Sequence, residues 1–171
     1  MKQSVWHRLD LLARNLSPFA LTVVLVIFAK VPLQVPDISP VLPSLAIIAV
    51  FYWSVHRPDL MPIWAVFLVG LVQDLLGAGP MGIGILALLL VHGIVAAQRR
   101  FFASASFLMM WCAFALVAMG AMALVWLLTS AFQNALLDPR PAVFGYFLTV
   151  AIYPCLAWLF VQAQRAFLPQ A

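Results

Sequence analysis

Apolar residues in this chain fall into six blocks, at 17–35, 43–55, 60–78, 80–97, 107–132 and 143–163, parted by short polar or Pro- and Gly-rich stretches. A helix rises about 1.5 Å per residue and needs roughly 20 apolar residues to cross a ~30 Å hydrocarbon layer. Five of the blocks approach or exceed that length, which predicts an all-α integral membrane protein: a bundle of six transmembrane helices in one membrane domain spanning 1–171. The second block is short, at about 20 Å; extension to include Val41 and Leu42 is the favoured remedy over local bilayer thinning or a re-entrant element. Ahead of the first block, Val5, Leu9, Leu12 and Leu16 recur at helical spacing while His7, Arg8, Asp10 and Arg14 take other faces, so 1–16 is expected to lie as a cytoplasmic helix in the interface with Trp6 at headgroup depth. Pro32, Pro36, Pro40 and Pro43 mark a stiff, non-helical loop between the first two blocks. His56-Arg57-Pro58-Asp59 forms a tight polar turn before the third, with Asp59 expected to cap the helix that follows.

Charge orients the bundle. Lys2, Arg8, Arg14, Arg57, Arg99, Arg100 and Arg165, seven of the nine basic residues, fall on one set of alternate loops and ends, leaving Lys30 and Arg140 on the other. Basic residues are retained on the cytoplasmic side of membranes, so both termini are expected in the cytoplasm. Composition agrees: 66% of residues are apolar and 8% charged, with a mean hydropathy of +1.10, against roughly 45–50% and 25% in soluble domains. The pI near 9.6 reflects cations scattered over helix ends, which suits anionic lipid headgroups and excludes a nucleic-acid tract. No small-x-small cleavage pattern follows the first block, so it is expected to stay as an anchor. The loops are too short to hold a separate catalytic or sensor domain, and function has to come from the bundle.

The chemistry concentrates between 67 and 84, where Gln73 and Asp74 precede the turn Gly77-Ala78-Gly79-Pro80-Met81-Gly82 and then Gly84. An ionised carboxylate facing lipid costs several kcal/mol, so Asp74 must face protein or water. It is either a proton or cation site, or a carboxylate that ties helices together or caps the Gly77–Gly79 turn. The second has more weight, because no other acid lies within a block to form a relay; Lys30 is a plausible partner at the same level. The turn spells G-x-G-x-x-G without the preceding strand or the following acid that a dinucleotide site needs, so its glycines are expected to serve the turn and close packing, with Pro80 in the first turn of the fourth helix. Gly82, Gly84, Gly93, Ala97, Ala118 and Gly120 offer small surfaces for helix packing or a docking partner. No nucleophile elbow, HExxH or aspartate dyad occurs, and no catalytic residue, metal site or cofactor is expected. His92 is expected to be a hydrogen-bonded packing histidine, and Cys112 and Cys155 small packing residues. The Met and Trp residues of the fifth block are expected to pack or face lipid, and Trp126, Tyr52, Trp53 and Trp158 to form aromatic belts.

Arg57-Pro58-Asp59, Phe67, Gly70-Leu71, Asp74 and Pro80-Met81-Gly82, taken with the size, six apolar blocks and basic amino-terminal arm, resemble the MreD family of bacterial rod-shape proteins. Met81 stands where that pattern more often has leucine. The resemblance implies a multi-pass protein of the bacterial inner membrane. It implies a non-enzymatic scaffold of the elongasome that binds an MreC-like single-span protein, works with the MreB filament and with RodA and its transpeptidase partner, and supports lateral peptidoglycan synthesis. It also implies a fold similar to the substrate-binding subunits of energy-coupling-factor transporters. Two function classes follow: an interaction subunit, for which Asp74, Gln73, Lys30, Arg57, Asp59, Gly77, Gly79, Pro80, Gly82, Gly84 and Gly93 are the structural or partner-contact candidates, and a small-ligand binding or transport subunit with a polar pocket near Asp74.

Overall fold

The structure, a computed structural model, describes residues 19–29, 43–77 and 79–167. The interfacial arm, the Pro-rich loop and Lys30 lie outside these residues. Every regular element described is helical: α1 (Phe19–Ala29), α2 (Leu45–His56), a one-turn 3-10 helix (Pro58–Leu60), α3 (Ile63–Leu76), α4 (Ile83–Ala97), α5 (Arg99–Ala103), α6 (Phe107–Phe132) and α7 (Arg140–Phe167). α6 and α7 are long and apolar enough to cross a membrane; α1, α2, α3 and α4 are apolar but shorter.

The shortest apolar block supplies the core helix. Every residue from Ala46 to Ser54 in α2 is buried, because this helix is apolar all round and the other helices close over it. Lengthening toward Val41 does not occur as a continuous helix, since Pro43 and Ser44 are non-helical. At one end of the bundle Phe51 meets the edges or faces of Phe102, Phe114 and Tyr153 at centroid distances of 5.7, 5.1 and 6.0 Å, and Phe114 stacks on Tyr153 at 4.2 Å. Tyr52 and Trp53 pack on Phe160 in the same cluster. These two are core residues and not the belt residues that their place near a helix end suggests; Trp158, 64% exposed, does face outward.

Long-range hydrogen bonds fasten α7 to its neighbours. Pro154 lies inside α7 and has no N–H, so the carbonyl of Val150 one turn earlier loses its helical donor. The Trp111 indole of α6 donates to that carbonyl at 3.0 Å. Tyr146 donates to the Ala115 carbonyl, the Ser44 amide donates to Thr149 Oγ1, and Tyr52 donates to Gln164 Oε1. α2 therefore touches α7 near both ends.

The outward surface is apolar. Leu116, Phe144, Phe147 and Trp158 each expose more than half their area, and only 17% of the most apolar stretch of α6 and 28% of that of α7 is buried. A core helix of a soluble protein would be mostly buried; these present their apolar faces to the surroundings. Cys112 and Cys155, expected as small packing residues within α6 and α7, are both exposed on this surface.

Several local expectations are also revised. Asp59 sits exposed in the 3-10 helix and does not cap α3, whose first turn is preceded by Pro62 and has no side-chain cap. Pro80 lies in the turn, two residues ahead of the Gly82 cap of α4, because the left-handed glycine and not the proline sets the helix start. The basic stretch at 99–103 makes its own short helix, and Ser106 then caps α6 by accepting the Met109 amide.

Candidate functional site at the α3–α4 hairpin

The carboxylate of Asp74, one turn before the end of α3, reaches across the turn to the start of α4. Its Oδ2 accepts the Gly82 amide at 2.8 Å and the Ile85 amide at 3.3 Å. The first amides of a helix have no partner within it, and no side chain at the start of α4 caps them; the preceding helix supplies the cap, and its negative charge suits the positive end of the α4 dipole. The turn amides of Gly77 and Gly79 are not its acceptor targets: Gly77 closes α3 by donating to the Asp74 carbonyl at 3.2 Å, and Gly79 is exposed.

Glycine is required at three places here. Gly82 has φ +100° and ψ −22°, a left-handed conformation that carries a penalty for any residue with a Cβ. A methyl built on Gly84 would overlap Asp74 Oδ1, and one on Gly70 would lie 2.7 Å from the Ile85 Cα. α3 and α4 thus approach backbone to backbone, and the same contact that brings them together delivers the carboxylate to its amides.

Gln73 lies beside this cap and has a buried Oε1 with no hydrogen-bond partner among the described residues. It lines a cavity of about 580 Å³ at this end of the bundle. The cavity is floored by Ile47, Ala87, Leu88 and Gly145, and its upper part carries Ser44, Thr129 and Asp138. A smaller space of about 150 Å³ beside Asp74 shares Gln73, Gly84 and Thr129 with it. The bundle is therefore solid with aromatic side chains at the Arg99 end and hollow at the Asp138 end.

The remaining candidates do not join this cluster. Arg57 follows α2, where its amide donates to the Trp53 carbonyl at 2.8 Å, and Asp59 is two residues on at the opposite end of the bundle from Asp74. Gly93 is exposed on α4 with open space where a Cβ would stand. Among the small residues expected to pack or dock, Gly84 and Ala118 face the interior, whereas Gly93, Ala97 and Gly120 face outward. His92 is buried in α4 and shares a 2.8 Å hydrogen bond between its Nδ1 and Ser54 Oγ of α2. Among the described residues no group of three or more His, Cys, Asp or Glu side chains could hold a metal. Ser54 and Thr129 carry polar roles that the linear pattern did not single out, and Trp126, expected in an aromatic belt, donates its indole N–H to the Leu137 carbonyl; only the three-dimensional pairing distinguishes these groups.

The family model described as rod shape-determining protein MreD matches residues 11–163 of the chain. The chain belongs to the MreD family. It is accordingly a rod shape-determining membrane protein, of a family whose role is structural. No curated protein and no solved structure matches it. In this MreD-family chain, three of the residues that carried the resemblance have a shared physical use: Gly70, Asp74 and Gly82 set the approach, the cap and the turn of one helical hairpin.

Proposed function

We propose that this MreD-family protein crosses the bacterial inner membrane six times as one domain, with both termini in the cytoplasm, and acts there as a non-catalytic scaffold of the wall-elongation machinery. Its helix flanks bind an MreC-like single-span protein, and through that contact it supports lateral peptidoglycan synthesis with MreB, RodA and the transpeptidase partner of RodA. A bundle similar to the substrate-binding subunits of energy-coupling-factor transporters fits the six apolar blocks. The observation that carries the scaffold reading is the engagement of Asp74. Among the described residues, the one acid within an apolar helix caps a neighbouring helix, so its carboxylate serves the architecture and not a proton relay. The exposed apolar faces of α4, α6 and α7, interrupted by outward Gly93, Ala97 and Gly120, supply surface on which a partner helix can pack closely.

The test is affinity purification of the full chain in mild detergent together with the MreC-like protein of the same cell. Stable one-to-one recovery is expected. Recovery of the bundle alone, under conditions where both proteins are present and folded, overturns the partner assignment. The cavity beside Gln73 favours a second reading as a ligand-binding subunit, and a transporter of that kind would require uptake of a solute into vesicles that an Asp74→Asn variant no longer supports.

A further inference from the structure

We propose that the cavity at the Asp138 end holds one acyl chain of an aminophospholipid, with the lipid's ammonium head at the polar collar. This inference rests on the chain being embedded in a membrane and is independent of which protein it binds.

Three features lead there. The first is the form of the cavity: at about 580 Å³ it falls within the ordinary range for small-ligand sites, and its floor of Ile47, Ala87 and Leu88 offers only apolar contact. The second is lateral access. A groove of about 340 Å³ runs between the outward faces of α6 and α7, and Met122, Trp126 and Ala142 line both this groove and the cavity. Its other walls include Met119 and Phe147, both more than half exposed, on the surface that faces lipid. The groove and the cavity therefore adjoin across Met122, Trp126 and Ala142, the shortest apolar route from the surrounding lipid to the cavity floor. The Trp126 indole, donating to the Leu137 carbonyl at 3.3 Å, is held between the two spaces.

The third feature selects the head. Thr129 already donates its hydroxyl proton to the Val125 carbonyl at 2.7 Å, so it faces the cavity with lone pairs. Gln73 Oε1 is a buried acceptor with no partner among the described residues, and a buried polar atom in that condition calls for one. Asp138 is a carboxylate whose Oδ1 accepts the Arg140 amide at 3.0 Å. Among the described residues, no Lys or Arg lines the cavity. A collar of acceptors that includes a carboxylate matches a head that is positive and carries several N–H donors. A primary ammonium has three such donors; a trimethylammonium has the charge without them, and a glycerol head has donors without the positive charge.

The full-length protein is reconstituted into nanodiscs made from equal amounts of phosphatidylethanolamine, phosphatidylglycerol and phosphatidylcholine with identical chains, then released, and its retained lipid is identified by native mass spectrometry. Phosphatidylethanolamine is expected to be retained several-fold above its bulk share. Gln73→Met and Asp138→Asn should bring that preference toward the bulk ratio, and Ala142→Phe, at the junction of groove and cavity, should remove retained lipid. Ala123→Trp narrows the groove from an exposed position, so it tests access even where the Ala142 variant folds poorly. Thermal melting of each variant identifies those that keep the fold. Retention at the bulk lipid ratio by the unmodified protein overturns the head assignment. Undiminished retention in folded Ala142→Phe and Ala123→Trp variants overturns the cavity as the site. Lipid retention is measured on the chain without a partner protein, so failure of the partner purification leaves these results interpretable.

Discussion

At the scale of single residues, the hairpin between α3 and α4 turns on one oxygen atom. Asp74 Oδ2 serves two amides that would otherwise be unpartnered at a helix start. Asp74→Ala should therefore lower stability by roughly 1–3 kcal/mol, the penalty for leaving buried donors unmade. Asp74→Asn keeps an acceptor oxygen in place, so its loss should be smaller; thermal melting in detergent compares the two. If Asn disables cell-shape function as fully as Ala while the protein melts normally, the carboxylate's charge is the functional property and the capping account fails. Gly84→Ala should be nearly as damaging as Asp74→Ala, because the added methyl takes the space of the carboxylate itself. The importance of Asp74 and the glycine turn was legible in the sequence, from the cost of an acid in an apolar run. Which amides it meets was not: Gly82 and Ile85 are 8 and 11 residues away, and that pairing depends on how closely two helices approach.

At the scale of elements, apolar periodicity located the helices well where a helix is long and its ends are marked. α6 coincides with the predicted 107–132, its start fixed by Ser106. The failures have a common cause: a position's role depends on what surrounds its helix. α2 reads as a marginal span because it is short, yet it is the most enclosed helix, and Tyr52 and Trp53 follow it inside. Pro154 lies within the predicted 143–163 block, and α7 runs through it with the Trp111 indole on the carbonyl it strands. A double-mutant cycle should expose this pairing. Trp111→Phe alone should cost about 1–2 kcal/mol beyond its loss of packing by removing the indole donor from the Val150 carbonyl, and in a Pro154→Ala background, where the helix supplies its own donor, that extra cost should vanish. Equal effects in both backgrounds would show that the indole acts through packing only. The structure also divides the small residues of α4 and α6 by use. Leu at Gly84 or Ala118 should destabilise the bundle, whereas Leu at Gly93, with open space above it, should leave melting unchanged and weaken recovery of a single-span partner. Normal partner recovery with the Gly93 variant would move the docking surface away from α4.

At the scale of the whole molecule, the two ends of the bundle differ in both charge and packing. Arg57, Arg99, Arg100 and Arg165 lie at the end filled by the aromatic cluster, whereas the hollow end carries Asp74 and Asp138 with Arg140. On the proposed topology, retention of basic residues on the cytoplasmic side is expected to put the solid end inward and the cavity outward. Reporter fusions in the loop around Ala135 should read as periplasmic, and fusions at Ser104 or after Arg165 as cytoplasmic. The opposite assignment would place four arginines on the periplasmic face with Asp59 as the one carboxylate beside them among the described residues, in conflict with the seven-to-two division of basic residues along the chain. A periplasmic signal after Arg165, combined with a cytoplasmic signal from the amino-terminal arm, would require an odd number of crossings. In that case one of the short helices α1 to α4 does not traverse the bilayer. α2 would be the first to re-examine, since 12 residues cover only about 18 Å and its complete burial lets it end within the bundle without meeting lipid. The fusion after Arg165 is therefore the decisive one, because it separates a six-span scaffold from a five-span bundle built around a buried core helix.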